Sequence, residues 1–392
     1  MTSATVAVPG RDAARHNGPL IDPVAIVEAG LARVGPDGVV HHVIASQVIE
    51  DFWLDGVLCT EAARAHRDGD LHIHDLGGLG VQRTRRPART LVTVDPGEIA
   101  GLSASGPPRH LDSACRQFAD LLILLRAEGS GAQTVVGVEA ALAPFARADG
   151  LEGCQVREHV RDLLLRLEVY GRAAPDRTPT ELGFERSGSS VIRDAVADVM
   201  RHAHAGGRPF RHTVIAEDLD DRSMGHVGTV SINMARLGYL YSGDRTVLFT
   251  RLDDLIEVAR DTLERRRRFV QQLIDGGVFP LSRRLGGTLD GHVCAIGLAG
   301  LSRIVREMTG DRADLSDPRG RDLGVQVLTH VRDKVGSFPA DAGGPFLLEV
   351  TTSRLVRDRL EDEDRARFPT PVASEAGDGT DEAASLLKTL VG

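Results

Sequence analysis

From Val43 to Arg67, apolar side chains recur mostly at steps of three and four: Val43, Ile44, Val48, Ile49, Phe52, Trp53, Leu58 and Ala62. That spacing predicts an amphipathic helix packed by one face, stopped by Gly69. Leu71–Leu76 then alternates as a short strand running into Gly77-Gly78. The stretch Arg83–Gly106 reads as loops with a brief strand near Arg89–Val94. Helical spacing returns over Leu111–Ala127, is interrupted by Gly129–Gly137, and resumes over Val156–Val169 up to Gly171. Thr180–Phe184 reads as a strand, Ser190–Ala205 as a helix, and Phe210–Ile215 and Val227–Met234 as strands. The longest helix is expected from Leu252 to Ile274, closed by Gly276-Gly277, because glycine enters the left-handed region at little cost. Strands at Cys294–Leu298 and Phe346–Val350 alternate with helices at Leu301–Met308, Gly324–Lys334 and Ser353–Arg365. A last helix, Asp381–Leu390, follows a polar stretch. Strands alternating with helices imply α/β topology.

Composition narrows the class. The 392 residues suffice for one large α/β barrel or two medium domains. Aromatic residues are only 4 %, so the core is expected to be Leu, Val, Ile and Ala. A net charge of −9 argues against a general nucleic-acid binder, whose phosphate contacts need positive potential. The run Glu264-Arg265-Arg266-Arg267-Arg268 lies in a helical pattern and reads as a solvated helix face. Cys59, Cys115, Cys154 and Cys294 are widely spaced, with no CxxC, so neither a zinc ribbon nor a disulfide framework follows. No lipid-spanning run is evident, and the cytoplasm is the default compartment. No phosphate loop, dinucleotide fingerprint or nucleophile elbow occurs.

A family resemblance emerges from ordered fragments. Gly69-Asp70-Leu71-His72-Ile73-His74-Asp75-Leu76, Gly131-Ala132-Gln133 followed by Ala143-Pro144-Phe145, and Arg177-Thr178-Pro179-Thr180 resemble segments of the anaerobic, glycyl-radical ribonucleoside-triphosphate reductases. So do Gly228-Thr229-Val230-Ser231-Ile232-Asn233, Ala295-Ile296-Gly297-Leu298-Ala299-Gly300-Leu301 and Glu349-Val350-Thr351-Thr352. Asp358, Arg359 and Phe368 are a looser match to the segment that follows. The fragments are collinear over about residues 40–370. The resemblance implies a ten-stranded α/β barrel around a central finger loop. It divides the chain into an N-terminal extension at 1–40, a reductase-like barrel at 41–369, and a polar linker with a short helix at 370–392.

The departures are chemical. In the family, a thiyl-radical cysteine sits on the finger loop just before the Gly-Val-Val-Thr-Ile-Asn strand. The matching loop here, Glu217-Asp218-Leu219-Asp220-Asp221-Arg222-Ser223-Met224-Gly225-His226, has none. A second family cysteine corresponds to the neighbourhood of Arg86–Leu91, which also lacks a thiol. The zinc module, the glycyl loop and the N-terminal ATP-binding cone of the family are not recognisable, so no intrinsic glycyl radical is expected. Hydroxyls and carboxylates do not replace the S–H bond that such chemistry needs.

Several residues are candidates for the site. His72 and His74, two apart on a strand, point to one side, and Asp75 adds a carboxylate. With Asp221 and His226 of the acidic loop, the two histidines form one reading of a divalent-metal set; structural hydrogen bonding and substrate positioning are the others. The loop residues Glu217, Asp218, Asp220, Asp221 and His226 read as a cation site, as acid–base groups or as a solvated surface loop, and His72, His74 and Asp75 with Asp221 and His226 make the expected catalytic centre. Cys294 is the cysteine to test as a relocated thiol facing a barrel interior. Gln133, as the resemblance implies, helps shape a nucleotide pocket. Asn233 either binds substrate or pins the next turn, and Glu349, at a strand end, either binds substrate or pairs with an arginine.

The function expected is binding, and transformation, of a nucleotide or similar polar metabolite without a glycyl radical of its own, with metal assistance as one version. Two alternatives stand beside it: an inert binding or regulatory subunit, pairing with itself or a partner, and ribonucleotide reduction with the radical source in trans.

Overall fold

The computed structural model describes residues 36–93, 107–129, 131–173, 180–184, 190–216, 224–310, 312–339, 344–368 and 380–391. The expected N-terminal extension up to residue 35, the Thr178-Pro179 pair, Asp221 with most of its acidic loop, and the linker at 369–379 lie outside the described residues. The chain divides into two units, each assembled from separate stretches: 1–50, 77–225 and 270–288 in the first, and 51–76, 226–269 and 289–392 in the second. The span read as one barrel, 41–369, is thus shared between them.

In the first unit, four short strands form a parallel run in the order β5-β4-β3-β2. They are β2 (Arg83–Pro87), β3 (Gln133–Val136), β4 (Thr180–Gly183) and β5 (Thr213–Ala216). Register is set by pairs such as Val135 with Arg86 and with Leu182. Parallel neighbours need crossovers, and helices supply them. These include α3 (Ala88–Thr93), α4 (Leu111–Arg126), α5 (Val138–Ala148), α6 (Gly153–Ala173) and α7 (Val191–Ala205). Leu91, Phe118, Val135, Leu142, Leu164, Leu182 and Val196 bury one continuous apolar core among these elements. The unit also holds most of α1 (Pro36–Phe52) and the short α10 (Pro280–Arg284), whose first N–H groups, at Leu281 and Ser282, donate to the Glu128 carboxylate at 2.8 and 2.7 Å.

The second unit carries β1 (Leu71–Ile73), β6 (Gly225–Asn233), β7 (His292–Ala299) and β8 (Phe346–Val350), ordered β6-β7-β8 with β1 antiparallel on β6. Its helices are α2 (Thr60–Asp68), α8 (Met234–Tyr241), most of α9 (Arg245–Asp275), α11 (Leu301–Thr309), α12 (Pro318–Gly336), α13 (Arg354–Arg367) and α14 (Thr380–Val391). Strand alternation sorts this sheet into two faces. Leu71, Ile73, Val230, Ile232, Cys294, Ile296 and Leu298 share one face, and all are buried. His72, His74, Ser231, Ala295, Gly297, Glu349 and Thr351 share the other. One face is apolar; the other gathers polar and small residues, with Val227 and Leu347 as its larger apolar members.

Where the sequence pattern misleads, a local reason is visible. The single helix expected over 43–67 is broken by a π-helical turn, Trp53–Val57, before α2 begins. The strand expected near Arg89–Val94 is β2 followed by α3, so the strand lies earlier and the apolar positions belong to a helix. The interruption at Gly129–Gly137 contains β3. Gly171 does not end α6; a Cβ there would lie 2.3 Å from that of His212, so this glycine permits close packing. Gly69 and Gly277 do terminate helices, with φ of 81° and 76°. Among the described residues eight strands occur, four in each unit, and they do not by themselves make the ten-stranded closed barrel that the resemblance implies.

Candidate functional site

The polar face of the second unit is built from β1 outward. In β1, His72 pairs with Ser231 of β6, which fixes the imidazole on the hydroxyl side of the sheet. His74 follows on the same side, and the two rings meet edge to face at 4.8 Å. His74 Nε2 lies 2.7 Å from Ser231 Oγ, and Ser231 Oγ lies 2.7 Å from Thr351 Oγ1. This chain of imidazole and two hydroxyls needs Gly297 beneath it: a Cβ there would sit 2.5 Å from Ser231 Oγ and 2.6 Å from Thr351 Oγ1. Ser231 is wholly buried, so it is no accessible nucleophile despite its histidine neighbour.

A third imidazole stands behind the pair. His66 of α2 accepts the Ile73 N–H at Nδ1, 3.0 Å away, and its ring is 5.3 Å from that of His72. Arg359 of α13 donates to the His66 carbonyl at 2.7 Å and places a guanidinium nitrogen 3.4 Å from His72 Nδ1. Burial, together with the nearby His74, His66 and Arg359, depresses the His72 pKa to about 2. Burial, aided by the Arg266 and His66 charges, depresses that of His74 to about 4. Both rings are therefore neutral near pH 7, available as hydrogen-bond donors, acceptors and bases.

Arg266 locks the end of this strand. It is 1 % exposed, yet it is a central residue of the basic run on α9. Its guanidinium donates to the carbonyls of His74 and Asp75 at 2.7 and 3.2 Å and lies over the Trp53 ring at 5.4 Å. Asp75 is exposed and turns with φ of 52°, the left-handed region that aspartate tolerates better than most residues. Arg267 is also buried, donating to the carbonyls of Leu289 and His292 at 2.5 Å each. Only Arg265 and Arg268 of the four arginines are exposed. The solvated-face reading of this run is corrected: half of it is structural and buried.

The remaining candidates separate. Cys294 does not face the polar side; it alternates onto the helix-packed face, 3.5 Å from the Arg267 guanidinium, and burial raises its pKa against that cation. Cys294 thus lies on the sheet face opposite His72 and His74. His226 is two positions before Gly228, where a Cβ would meet the Arg266 side chain at 3.0 Å, so alternation puts it on the face opposite His72 and His74. The structure thus brings together two of the expected metal set; Asp221 is outside the described residues. Among the described residues no three His, Cys, Asp or Glu groups converge on a metal position. Glu349 pairs in parallel register with Gly297 and shares the polar face. Gln133 is buried at the start of β3, in the first unit.

Asn233 is committed to the chain. Its Oδ1 accepts the Arg236 N–H at 3.0 Å, and its Nδ2 donates to the Gly69 carbonyl at 3.0 Å and to Asp364 at 3.1 Å. Arg236 continues the network to Asp364 at 2.5 Å and Asp70 at 3.0 Å, and Asp70 also accepts from Arg251 at 3.1 Å. Sequence reasoning missed this buried ionic core. Its signal was faint: Arg236 is a lone charge in the apolar α8, and Asp364 is one among many charges in α13.

The geometry thus defines an α/β fold with a polar sheet face holding two neutral imidazoles. A sequence profile of the anaerobic ribonucleoside-triphosphate reductase family matches residues 37–175 and 189–378. The chain belongs to that family. No curated protein matches the sequence. Solved structures agree in fold. The anaerobic ribonucleotide reductase from Thermotoga maritima with citrate in the active site is 15 % identical, with a TM-score of 0.71 over 89 % of this chain and 81 % of that one. The same enzyme in complex with dATP and CTP gives 14 % identity and a TM-score of 0.64 over 85 % and 71 %. No helix among the described residues is long and apolar enough to cross a membrane.

Proposed function

We propose that the chain binds a nucleotide on the polar face of its second unit and does not carry out thiyl-radical reduction there with a cysteine of its own. The carrying observation is the placement of the partly exposed His72, His74 and Glu349 on one sheet face, with the buried Ser231, Thr351, Ala295 and Gly297 between them. Neutral imidazoles and a carboxylate suit sugar hydroxyls, and Arg359 supplies the positive charge that a phosphate seeks.

Cysteine placement supports the second half of the proposal. All four cysteines lie among the described residues, and none is on that face. Cys59 precedes α2; Cys115 is buried in α4, with its pKa raised to about 12 mainly by burial; Cys154 is exposed on α6; Cys294 packs against α9. Family membership and solved relatives such as the one in complex with dATP and CTP favour a nucleotide over other polar metabolites. Within this reading the face belongs to a reductase-type barrel, with His72 and His74 as hydrogen-bonding or basic groups.

Titration calorimetry of the full chain with ATP, CTP, GTP and UTP tests the reading. Saturable binding of at least one, weakened about tenfold or more by Arg359→Ala, is expected, since one charge-assisted hydrogen bond contributes about 1.5–3 kcal/mol. No binding of any nucleotide by a folded chain sinks the proposal. Deoxynucleotide formation by the isolated chain under radical-generating anaerobic conditions sinks its second half.

A further inference from the structure

A second feature lies in the first unit and is independent of the nucleotide reading. Residues 199–216 contain three arginines and three histidines and no acidic residue, in a chain of net charge −9. They form the last turns of α7, the loop Gly206–His212 and β5. Met200, Arg201, His204, Ala205, Pro209 and Phe210 line a cleft of about 380 Å³. Its floor is apolar, from Met200, Pro209 and Phe210, while Arg201, His204 and Ala205 are exposed at its rim. Arg208 and Arg211, also exposed, flank the floor residues in sequence.

The loop is held in place from below. The buried Glu168 carboxylate accepts the N–H groups of Arg211 and His212 at 3.0 and 2.8 Å, and Gly171 lets His212 approach α6 closely. Besides Glu168, among the described residues Asp198 pairs with Arg201 at 3.4 Å and with Arg157 at 2.7 Å, and lies 3.3 Å from His202 Nδ1. It is shared between two guanidiniums, so among the described residues the arginines of the rim outnumber it. A helix C-terminus favours cations, which accounts for some of this charge. It does not account for an apolar cleft opened among them, or for the continuation of the charge through Arg208 and Arg211 beyond the helix.

We propose that this cleft is a docking site for an acidic peptide segment of a partner protein, with one bulky apolar side chain seated between Met200 and Phe210 and carboxylates on Arg201 and Arg208. The pocket falls in the size range of one buried anchor, and the charges around it would speed encounter and select sign.

The test is fluorescence anisotropy of a fluorescein-labelled Asp-Glu-Asp-Glu-Phe-Asp-Glu-Asp peptide with the full chain. Controls are the same peptide with Phe replaced by Ala, and a labelled single-stranded oligodeoxynucleotide. Saturable binding at low salt is expected, weakened at least about tenfold by the double variant Arg201→Glu, Arg208→Glu and by loss of the Phe. Ala205→Glu obstructs the rim without removing a core contact, so it is expected to abolish binding while thermal unfolding stays within a few degrees. Absence of binding, equal affinity for the Ala peptide or the oligonucleotide, or affinity unchanged in both variants overturns the proposal.

Discussion

At the scale of single residues, the polar face depends on groups whose protonation and size are set by burial. His72 and His74 are held neutral, with pKa values of about 2 and about 4 against 6.5 when exposed. The sign follows: above pH 6.5 neither histidine alters stability, and below it the unfolded chain takes up protons that the folded one refuses. Stability is therefore lost as pH falls from 6.5 towards 4, by about 2 kcal/mol per histidine between pH 7 and pH 5. Urea unfolding at the two pH values is expected to show this loss, reduced by at least about 1 kcal/mol in His74→Gln. An unchanged pH dependence in that variant would mean that His74 is not desolvated as described. Gly297→Ala is expected to destabilise by about 1–3 kcal/mol, because its methyl would overlap the Ser231 and Thr351 hydroxyls. A neutral effect in the same unfolding measurement would show that this contact relaxes freely.

At the scale of elements, α9 shows what a sequence pattern conveys and what it hides. Its apolar stripe, Leu252, Leu255, Ile256, Ala259 and Leu263, is buried as the helical spacing predicts. Arg266 and Arg267 fall on that same stripe one turn later, and periodicity alone gives an arginine no reason to be inside. The reason is tertiary: carbonyls just past β1 and at the entry to β7 accept from two guanidinium forks. Arg266→Ala is thus expected to cost more than about 2 kcal/mol, whereas Arg265→Ala and Arg268→Ala stay within about 0.5 kcal/mol. Equal effects across the run in thermal unfolding would restore the solvated-face reading. The strands were legible where β-branched or aliphatic residues ran between glycines, as at Val227–Met234 and Phe346–Val350. β2 was not, since Arg83–Pro87 is arginine-rich and ends in proline, the composition of a loop.

At the scale of the whole molecule, family membership was legible because short fragments keep their order from Gly69 to Thr352. The site was legible in part. The His-x-His spacing predicts a shared face, and the structure places both rings on it. What adjoins that face, Ser231, Thr351 and Arg359, comes from stretches 157 to 287 residues away in sequence, beyond the reach of any local pattern. That Cys294 and His226 lie on the face away from His72 and His74 was out of reach for the same reason: a strand's two faces are assigned only when its neighbours are known. The account therefore turns on whether this face receives a nucleotide. Imidazole chemical shifts of the isotopically labelled full chain, recorded as a ribonucleoside triphosphate is added, report on it directly. The account predicts saturable shifts of the His72 and His74 rings, while those of the exposed His110 and His202 stay fixed. Nucleotide binding that leaves His72 and His74 unmoved would contradict it.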